Sequence, residues 1–444
     1  MIENINLDEI LKPQKYLADC DFHIFRLREG SENKEFIFYN VKLKKYNFYS
    51  KMKLKDMLII ELGKNIKQLM EIHQYAGLPK DFVEKYLIEN IIVVDNINFY
   101  PLEQILIKID GKIYFNTYKR SNFMIKADEE EDKEKDYSSF FPAIENLLRH
   151  ICLNDEIYNY VLKWYAWKVQ HPEIKVPTAL IFQGEKGTGK SFFQEQVIKT
   201  IFGHLWTTIN QENMEDKYNL YMFETLLVNL EEAISDDTKE KISQKLKNLV
   251  SDTTISIRKM NNDPFTVLCF ANLTMNTNTH KPIKIEEKDR RYTIIGYQNN
   301  KIDTTIIRAV VENKETEVKA FYYYLKHLKV EYLEVSQPLK TDAKEDIRKY
   351  NMNSLEHYFD EFDFNKFKDS SFKLKDNCFY ETQLFYKLYI SFCGENGYKN
   401  IFSRNKFTME LKQRGFSDKV IKEDGVCKRY IKVLNDYGEL NGNN

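Results

Sequence analysis

The 444-residue chain has almost no net charge: 66 Lys and Arg stand against 67 Asp and Glu, a formal -1. That excludes the global basic field that advertises nucleic-acid binding, so any such contact must come from a local patch. Six cysteines (Cys20, Cys152, Cys269, Cys378, Cys393, Cys427) are scattered with no C-x2-C pair. Zinc sites and disulfide frameworks are disfavoured, and a reducing compartment fits. No run reaches the roughly 18 apolar residues of a membrane span, and the N-terminus lacks a basic-then-apolar signal. Internal repeats are absent, and so is the Asn-Lys-x-Asp motif by which a GTPase reads its base. A soluble, cytoplasmic protein with no membrane partner is expected. At 43% hydrophobic and 30% charged residues, the length allows two to four domains, each with ample core.

What is present centres on Gly184-Glu185-Lys186-Gly187-Thr188-Gly189-Lys190-Ser191, the phosphate-loop pattern G-x4-G-K-[ST]. A nucleoside triphosphate needs backbone N–H groups aimed at its phosphates, and glycine-rich turns supply them without clash. It also needs a lysine on the β- and γ-phosphates and a hydroxyl on Mg²⁺, here Lys190 and Ser191. The setting is right for such a loop. Ala179–Phe182 reads as a buried parallel strand; Phe193, Val197 and Ile201 recur at helical spacing, and Gly203 offers a stop. ATP and Mg²⁺ are the expected cofactors.

Downstream, Leu226–Leu230 is an apolar strand delivering Glu231 and Glu232. Hydrolysis needs one carboxylate near the metal and one for the attacking water; Glu231 takes the first role and Glu232 the second. Thr254–Lys259, the turn Asn261–Pro264 and Phe265–Phe270 predict a hairpin carrying Arg258 and Lys259. There the cations could grip a phosphate backbone, although two strand-end charges are ordinarily just solvated. Asn276 offers an amide that can hold the water or read the γ-phosphate. Arg290 and Arg291, ahead of the strand Thr293–Ile295, could stabilise the transferring phosphoryl group, including from a neighbouring subunit.

Around this core, residues 1–126 predict an α/β domain. Its strands fall near Phe22–Leu27 and Glu35–Val41, with a helix over Lys55–Tyr75. A hairpin is expected through Asp110-Gly111, which accept positive φ. The acidic run Asp128–Asp132 predicts a self-repelling linker over 127–137. Two amphipathic helices fill 138–172. An ATPase domain follows over 173–335, then a connector over 336–351 and a small C-terminal domain over 352–435.

Taken together, Gly184–Ser191, Leu226–Ala233, the hairpin with Lys259, Asn276 and Asp289-Arg290-Arg291 resemble the superfamily 3 helicases. The closest likeness is to the helicase half of phage, plasmid and poxvirus primase-helicases, strongest over residues 140–300. The resemblance implies an AAA+-type fold, a parallel sheet flanked by helices. It also implies a replicative DNA helicase that encircles single-stranded DNA as a ring, a hexamer, and moves 3′ to 5′. On that basis Asn276 is the sensor amide, Arg290 or Arg291 the arginine finger, and Arg258/Lys259 the translocating hairpin. Single-stranded and forked DNA, other copies of the chain, and a separate primase or other replication proteins are the implied partners. Tyr114–Tyr118 looks like a short motif preceding the ATPase in this branch. Leu384–Tyr389, Phe407–Leu411 and Gly415-Phe416 resemble its C-terminal winged helix. Glu231 departs from the usual Asp. The N-terminal region is also too short for an attached primase, and Asp19 and Asp21 read as surface acids. A DNA-binding AAA+ initiator or loader that does not unwind shares every ATPase residue, and the hairpin is what separates the two. A protein-remodelling ATPase would carry aromatic pore residues, where this hairpin offers Arg, Lys, Met and Asn.

Overall fold

A computed structural model describes residues 2–3, 22–28, 34–54, 56–57, 91–102, 104–132, 134–216, 219, 222–231, 239–257, 265–286, 289–361, 379–414, 417–423 and 426–432. The chain forms two compact units, Met1–Ile283 with Arg290–Ala343, and Lys284–Asp289 with Lys344–Asn444. The expected divisions at 127–137 and at 172/173 therefore fall inside one unit.

That unit opens with two small sheets. β1 (Ile2–Glu3), β2 (Phe22–Leu27), β3 (Phe36–Asn40), β4 (Lys45–Tyr49), β5 (Ile92–Val94), β6 (Asn96–Asn98), β7 (Leu106–Ile109) and β8 (Lys112–Asn116) are ordered β4-β3-β2-β5 and β1-β7-β8-β6. Alternating aromatic and branched residues give both sheets an apolar face, and Phe25, Ile37, Val94, Leu106 and Phe115 meet there, fully buried. The β7–β8 turn falls on Asp110 (φ 49°) and Gly111 (φ 80°), the left-handed pair a two-residue hairpin demands. Apart from Asp56 and Met57, the helix expected over Lys55–Tyr75 lies outside the described residues, as do Asp19 and Asp21.

The acidic run is not the solvated hinge its composition suggests. α1 (Asn122–Glu129), capped by the Ser121 hydroxyl, carries Asp128, and the residues after it are packed against a helix far along the chain. Lys326 binds Asp128 at 2.9 Å and Glu131 at 2.6 Å; His327 reaches Glu131 at 2.5 Å, and Lys319 pairs with Glu130. Lys319, Lys326 and His327 are spaced i, i+7, i+8 and so share one helix face. The two lysines offset charge in the run, and the Glu131 side chain becomes almost fully buried.

α2 (Pro142–Cys152) starts with proline at its first turn, and α3 (Asp155–Gln170) is capped by the Asn154 side chain. Both follow the expected stripes, and α3 is buried nearly all round, with Trp164 and Tyr165 fully enclosed. They pack in one core with the helices around the central sheet and after it, so residues 142–170 and that sheet lie in one unit. The central sheet is wholly parallel, ordered β10-β11-β14-β9-β15. Its members are β9 (Ala179–Gly184), β10 (Trp206–Ile209), β11 (Leu227–Glu231), β14 (Asn272–Thr277) and β15 (Tyr292–Gln298). After β9 comes α4 (Lys190–Phe193), continued by a π-helical turn (Gln194–Ile198) and a last turn (Lys199–Phe202). Between β11 and β14 lie α5 (Lys239–Ser251) and the antiparallel pair β12 (Thr254–Ile257) and β13 (Phe265–Leu268). α6 (Thr304–Glu312) and α7 (Lys314–His327), the source of the cations above, follow the sheet. Among the described residues no helix is long and apolar enough to cross a membrane.

The second unit contains α8 (Ser354–Glu361), β16 (Phe379–Glu381), α9 (Thr382–Glu395), α10 (Arg404–Gln413), β17 (Ser417–Glu423) and β18 (Val426–Lys432). Its helices close on Leu355, Phe385, Tyr389, Phe407 and Leu411. The strands form a sheet ordered β16-β18-β17, an arrangement compatible with the expected winged helix. Gly415 and Phe416 lie outside the described residues.

Candidate functional site

β9 is apolar and buried along its length, so it anchors rigidly the loop that follows it. Two glycines are required by geometry. Gly184 sits at φ 153°, and a Cβ there would stand 2.5 Å from the Gln298 carbonyl oxygen; Gly189 adopts φ 90° where α4 begins. Inside the loop, Lys190 is buried. Its Nζ donates to the carbonyls of Gly184 (2.7 Å) and Glu185 (2.9 Å) and to the Thr188 hydroxyl (3.0 Å), so it ties both limbs of the loop together. Burial lowers the Lys190 pKa, and the nearby Glu231 and Glu185 carboxylates oppose that shift. Glu185, Lys186 and Gly187 form the exposed rim. The Tyr297 hydroxyl lies 3.1 Å from Glu185 Oε1 and 3.0 Å from the Asn278 carbonyl, two acceptors that share its one proton.

The sheet order then decides what faces the loop. β14 lies between β9 and β11, and the register aligns Glu231 with Asn276 and Asn276 with Phe182. The ends of three parallel strands thus present loop, amide and carboxylate side by side, about 4.8 Å apart per strand. The Ser191 hydroxyl donates to Glu231 Oε2 at 3.0 Å. Asn276 Nδ2 donates to Glu231 Oε1 at 2.7 Å. The Asn276 Oδ1 is buried and has no hydrogen-bond partner among the described residues.

Sequence reasoning missed the residue behind the carboxylate. Asn229, fully buried in β11, donates to Glu231 Oε1 (2.8 Å) and the Thr208 hydroxyl (3.3 Å), and its Oδ1 accepts from Thr274 (3.0 Å). The available signal was one polar residue inside the apolar run Leu226–Leu230. Tyr297 and Asn278 were missed too, since neither sits in a recognisable pattern. Asn272–Thr277 is itself a central strand, and Asn276 is its next-to-last residue.

The remaining expected residues are not gathered here. Arg290 is exposed and Arg291 donates to the Ser251 hydroxyl at 2.9 Å. Both precede β15, whose Tyr292 pairs with Ala179 at the start of β9, while the loop follows Gly184 at its end. Five residues of strand, roughly 17 Å, separate the two edges. Glu232, Arg258 and Lys259 lie outside the described residues, although the legs β12 and β13 of the expected hairpin are paired as foreseen.

Residues 182–291 match the model of DUF5906, a family of unknown function. Over 294 residues the chain is 27% identical to a DNA primase-polymerase of Nitratiruptor phage NrS-1, covering 60% of this chain and 40% of that protein. It therefore spans well under half the length of that relative. Two apo structures of the NrS-1 C-terminal region are similar at TM-score 0.68 each. The first is 19% identical and covers 96% of this chain and 100% of that one; the second is 18% identical, with 96% and 99% covered. At that identity the likeness is one of fold, a mixed α/β architecture with a parallel sheet and helices. The relationship is to a phage primase-polymerase, and the superfamily 3 and AAA+ assignments go further than these likenesses.

Proposed function

We propose that the chain is a Mg²⁺-dependent ATPase of AAA+ type that acts as a ring-forming helicase on single-stranded and forked DNA in phage or mobile-element replication. One observation carries the reading: Lys190 and Ser191 from the helix start after β9, Glu231 from β11 and Asn276 from β14 converge at one edge of a parallel sheet. A triphosphate lying along Gly184–Gly189 would set its β- and γ-phosphates against Lys190. The Ser191 hydroxyl and Glu231 carboxylate are hard oxygen donors suited to Mg²⁺, which takes one or two protein ligands alongside phosphates and water. Bound there, the ion would neutralise charge on the phosphates. Asn276 stands between loop and carboxylate, and its unpartnered Oδ1 can accept a hydrogen bond from the attacking water. Glu232, the next residue after Glu231, is the proposed base. Kinship with a DNA primase-polymerase supports DNA as the partner, with a primase or other replication proteins working alongside.

The separation of Arg290 and Arg291 from the loop of their own subunit supports a finger supplied by a neighbour. Of the two arginine-to-alanine variants, the one that removes the finger should bind ATP normally and lose about 10³-fold or more in turnover. Mixing such a variant with Lys190→Ala protein should restore part of the activity, because some interfaces pair an intact loop with an intact finger. Co-assembly without any recovery would overturn the ring. Helicase action is read separately by strand displacement on forked DNA, which Lys190→Ala should abolish.

A further inference from the structure

A cleft among the N-terminal sheets uses features that the phosphate loop does not. One wall is the stretch Tyr114–Tyr118, and the structure shows what its asparagine does. Asn116 is buried; its Nδ2 lies 2.9, 2.9 and 2.8 Å from the carbonyl oxygens of Tyr100, Leu102 and Gln104, and its Oδ1 accepts from the N–H groups of Tyr100 (2.9 Å) and Tyr118 (3.1 Å). A side chain saturated in this way fixes the segments before β7 and after β8 in one shape. The facing wall is the β3–β4 hairpin. Its cross-strand pair Tyr39 and Tyr46 stands edge-on to Phe115 at 5.9 and 5.3 Å. The Tyr46 hydroxyl donates to Glu224 Oε1 at 2.9 Å, which fastens the hairpin to the segment before β11. A cavity of about 440 Å³ lies between these walls.

Its charge is one-sided. Lys44, Lys45, Lys119 and Arg120 line it, burial favours the neutral form of His204 beside them, and Glu224, already engaged by Tyr46, is the one carboxylate among the described lining residues. No described carboxylate forms an ion pair with Lys44, Lys45 or Lys119. In a chain of net charge -1, a cleft gathering lysines that no described carboxylate pairs with is not a by-product of basic composition; it is a local positive field. Lysines beside a tyrosine-lined wall are the combination that grips a polynucleotide backbone while offering π-faces to its bases.

We propose that this cleft is a contact site for single-stranded DNA distinct from the ATPase site, with Lys44, Lys45 and Lys119 on phosphates and the tyrosine wall against the bases. It shares with the ring reading only the expectation that DNA is bound. The test is fluorescence anisotropy of labelled oligo(dT) with the full chain, without nucleotide, across a salt series. Lys44→Ala/Lys45→Ala/Lys119→Ala should weaken binding at least tenfold at low salt and reduce the salt slope by about 2, from roughly 0.7 per phosphate contact. Basal ATPase should be unchanged, since none of the three touches the phosphate loop. Arg258→Ala/Lys259→Ala should retain this nucleotide-independent binding.

Wild-type affinity and slope in the triple variant would overturn the cleft and leave the ring reading standing. Absence of nucleotide-independent binding by the wild-type chain would likewise overturn the cleft; the ring reading falls only if binding is also absent with a non-hydrolysable ATP analogue. Displacement of the oligonucleotide by equimolar thymidine monophosphate would identify a mononucleotide pocket, and the strand reading would fall. If the triple variant does not fold, ultraviolet cross-linking of a bromodeoxyuridine oligonucleotide to the wild-type chain decides. Adducts on Tyr39, Tyr46 or Tyr118 are expected, and adducts only elsewhere would refute the site.

Discussion

Asn229→Ala removes a side chain that touches no substrate, yet it should change how the chain uses Mg²⁺. In the folded chain the Asn229 amide donates to Glu231 Oε1 at 2.8 Å, on the opposite carboxylate oxygen from Ser191. A hydrogen bond to a charged group contributes about 1.5–3 kcal/mol. If that energy holds the carboxylate in its metal-facing rotamer, losing it should raise the Mg²⁺ concentration for half-maximal ATP turnover by roughly 10- to 100-fold, the range typical of residues that orient metal ligands. Truncation also strands the Thr274 hydroxyl, which now donates to Asn229 Oδ1, at a further cost of about 1–3 kcal/mol in stability. The assay is ATP turnover against Mg²⁺ at saturating ATP, beside a thermal melt. Saturating Mg²⁺ should recover most of the rate. A lowered melting temperature with an unchanged Mg²⁺ midpoint would make Asn229 purely structural and refute the reasoning.

Two further changes probe the same frame. Gly184→Ala should cut ATP affinity at least tenfold and lower the melting temperature, because its Cβ meets the Gln298 carbonyl at 2.5 Å; Gly111→Ala, with nothing within 4 Å, should cost only about 1 kcal/mol from its positive φ, and equal effects in melts and nucleotide titrations would contradict this. Lys168 is fully buried between the carbonyls of Pro172 and Phe270, and burial, then Lys175, pushes its pKa down to about 7. The folded chain then sheds this proton near pH 7 while the unfolded chain keeps it to about 10.5. Its penalty is full below pH 7 and fades as pH rises, by at most about 1.4 kcal/mol per unit. Against Lys168→Met, wild type should therefore gain stability between pH 7 and 10, and a pH-independent difference in melting temperature would refute the shift.

Local chemistry was legible in the sequence. The strand–loop–helix around Gly184–Ser191, the Asp110-Gly111 hairpin and the two helices over 138–172 each follow from residues within a few positions of one another. Partners far apart in the chain were not. The acidic run looked like a hinge because its partners, Lys319, Lys326 and His327, lie some 190 residues downstream. No local pattern announces that face of α7 as the complement of Asp128–Glu131. Packing across the chain was hidden for the same reason: α2 and α3 read as a segment of their own, and their apolar surfaces are completed by side chains from beyond residue 300.

The site shows most sharply what topology adds. Nothing in the order of the residues says that β14 is inserted between β9 and β11; only that insertion brings Asn276 against Glu231 and Thr274 against Asn229. The result is a line of hydrogen-bonded polar side chains, Thr208, Asn229, Thr274, Glu231 and Asn276, crossing three strands of the sheet. Such a line is tolerable inside a core only when each member satisfies the next. Here it does so up to Asn276 Oδ1, a buried acceptor without a partner among the described residues. Leaving such an acceptor unmet costs about 1–3 kcal/mol, and leucine or valine in these positions would avoid the cost altogether. The network ends at the strand edge from which the Gly184–Ser191 loop also leaves the sheet, so under the proposed reading its unmatched atom is the one a bound triphosphate or its attacking water would have to satisfy.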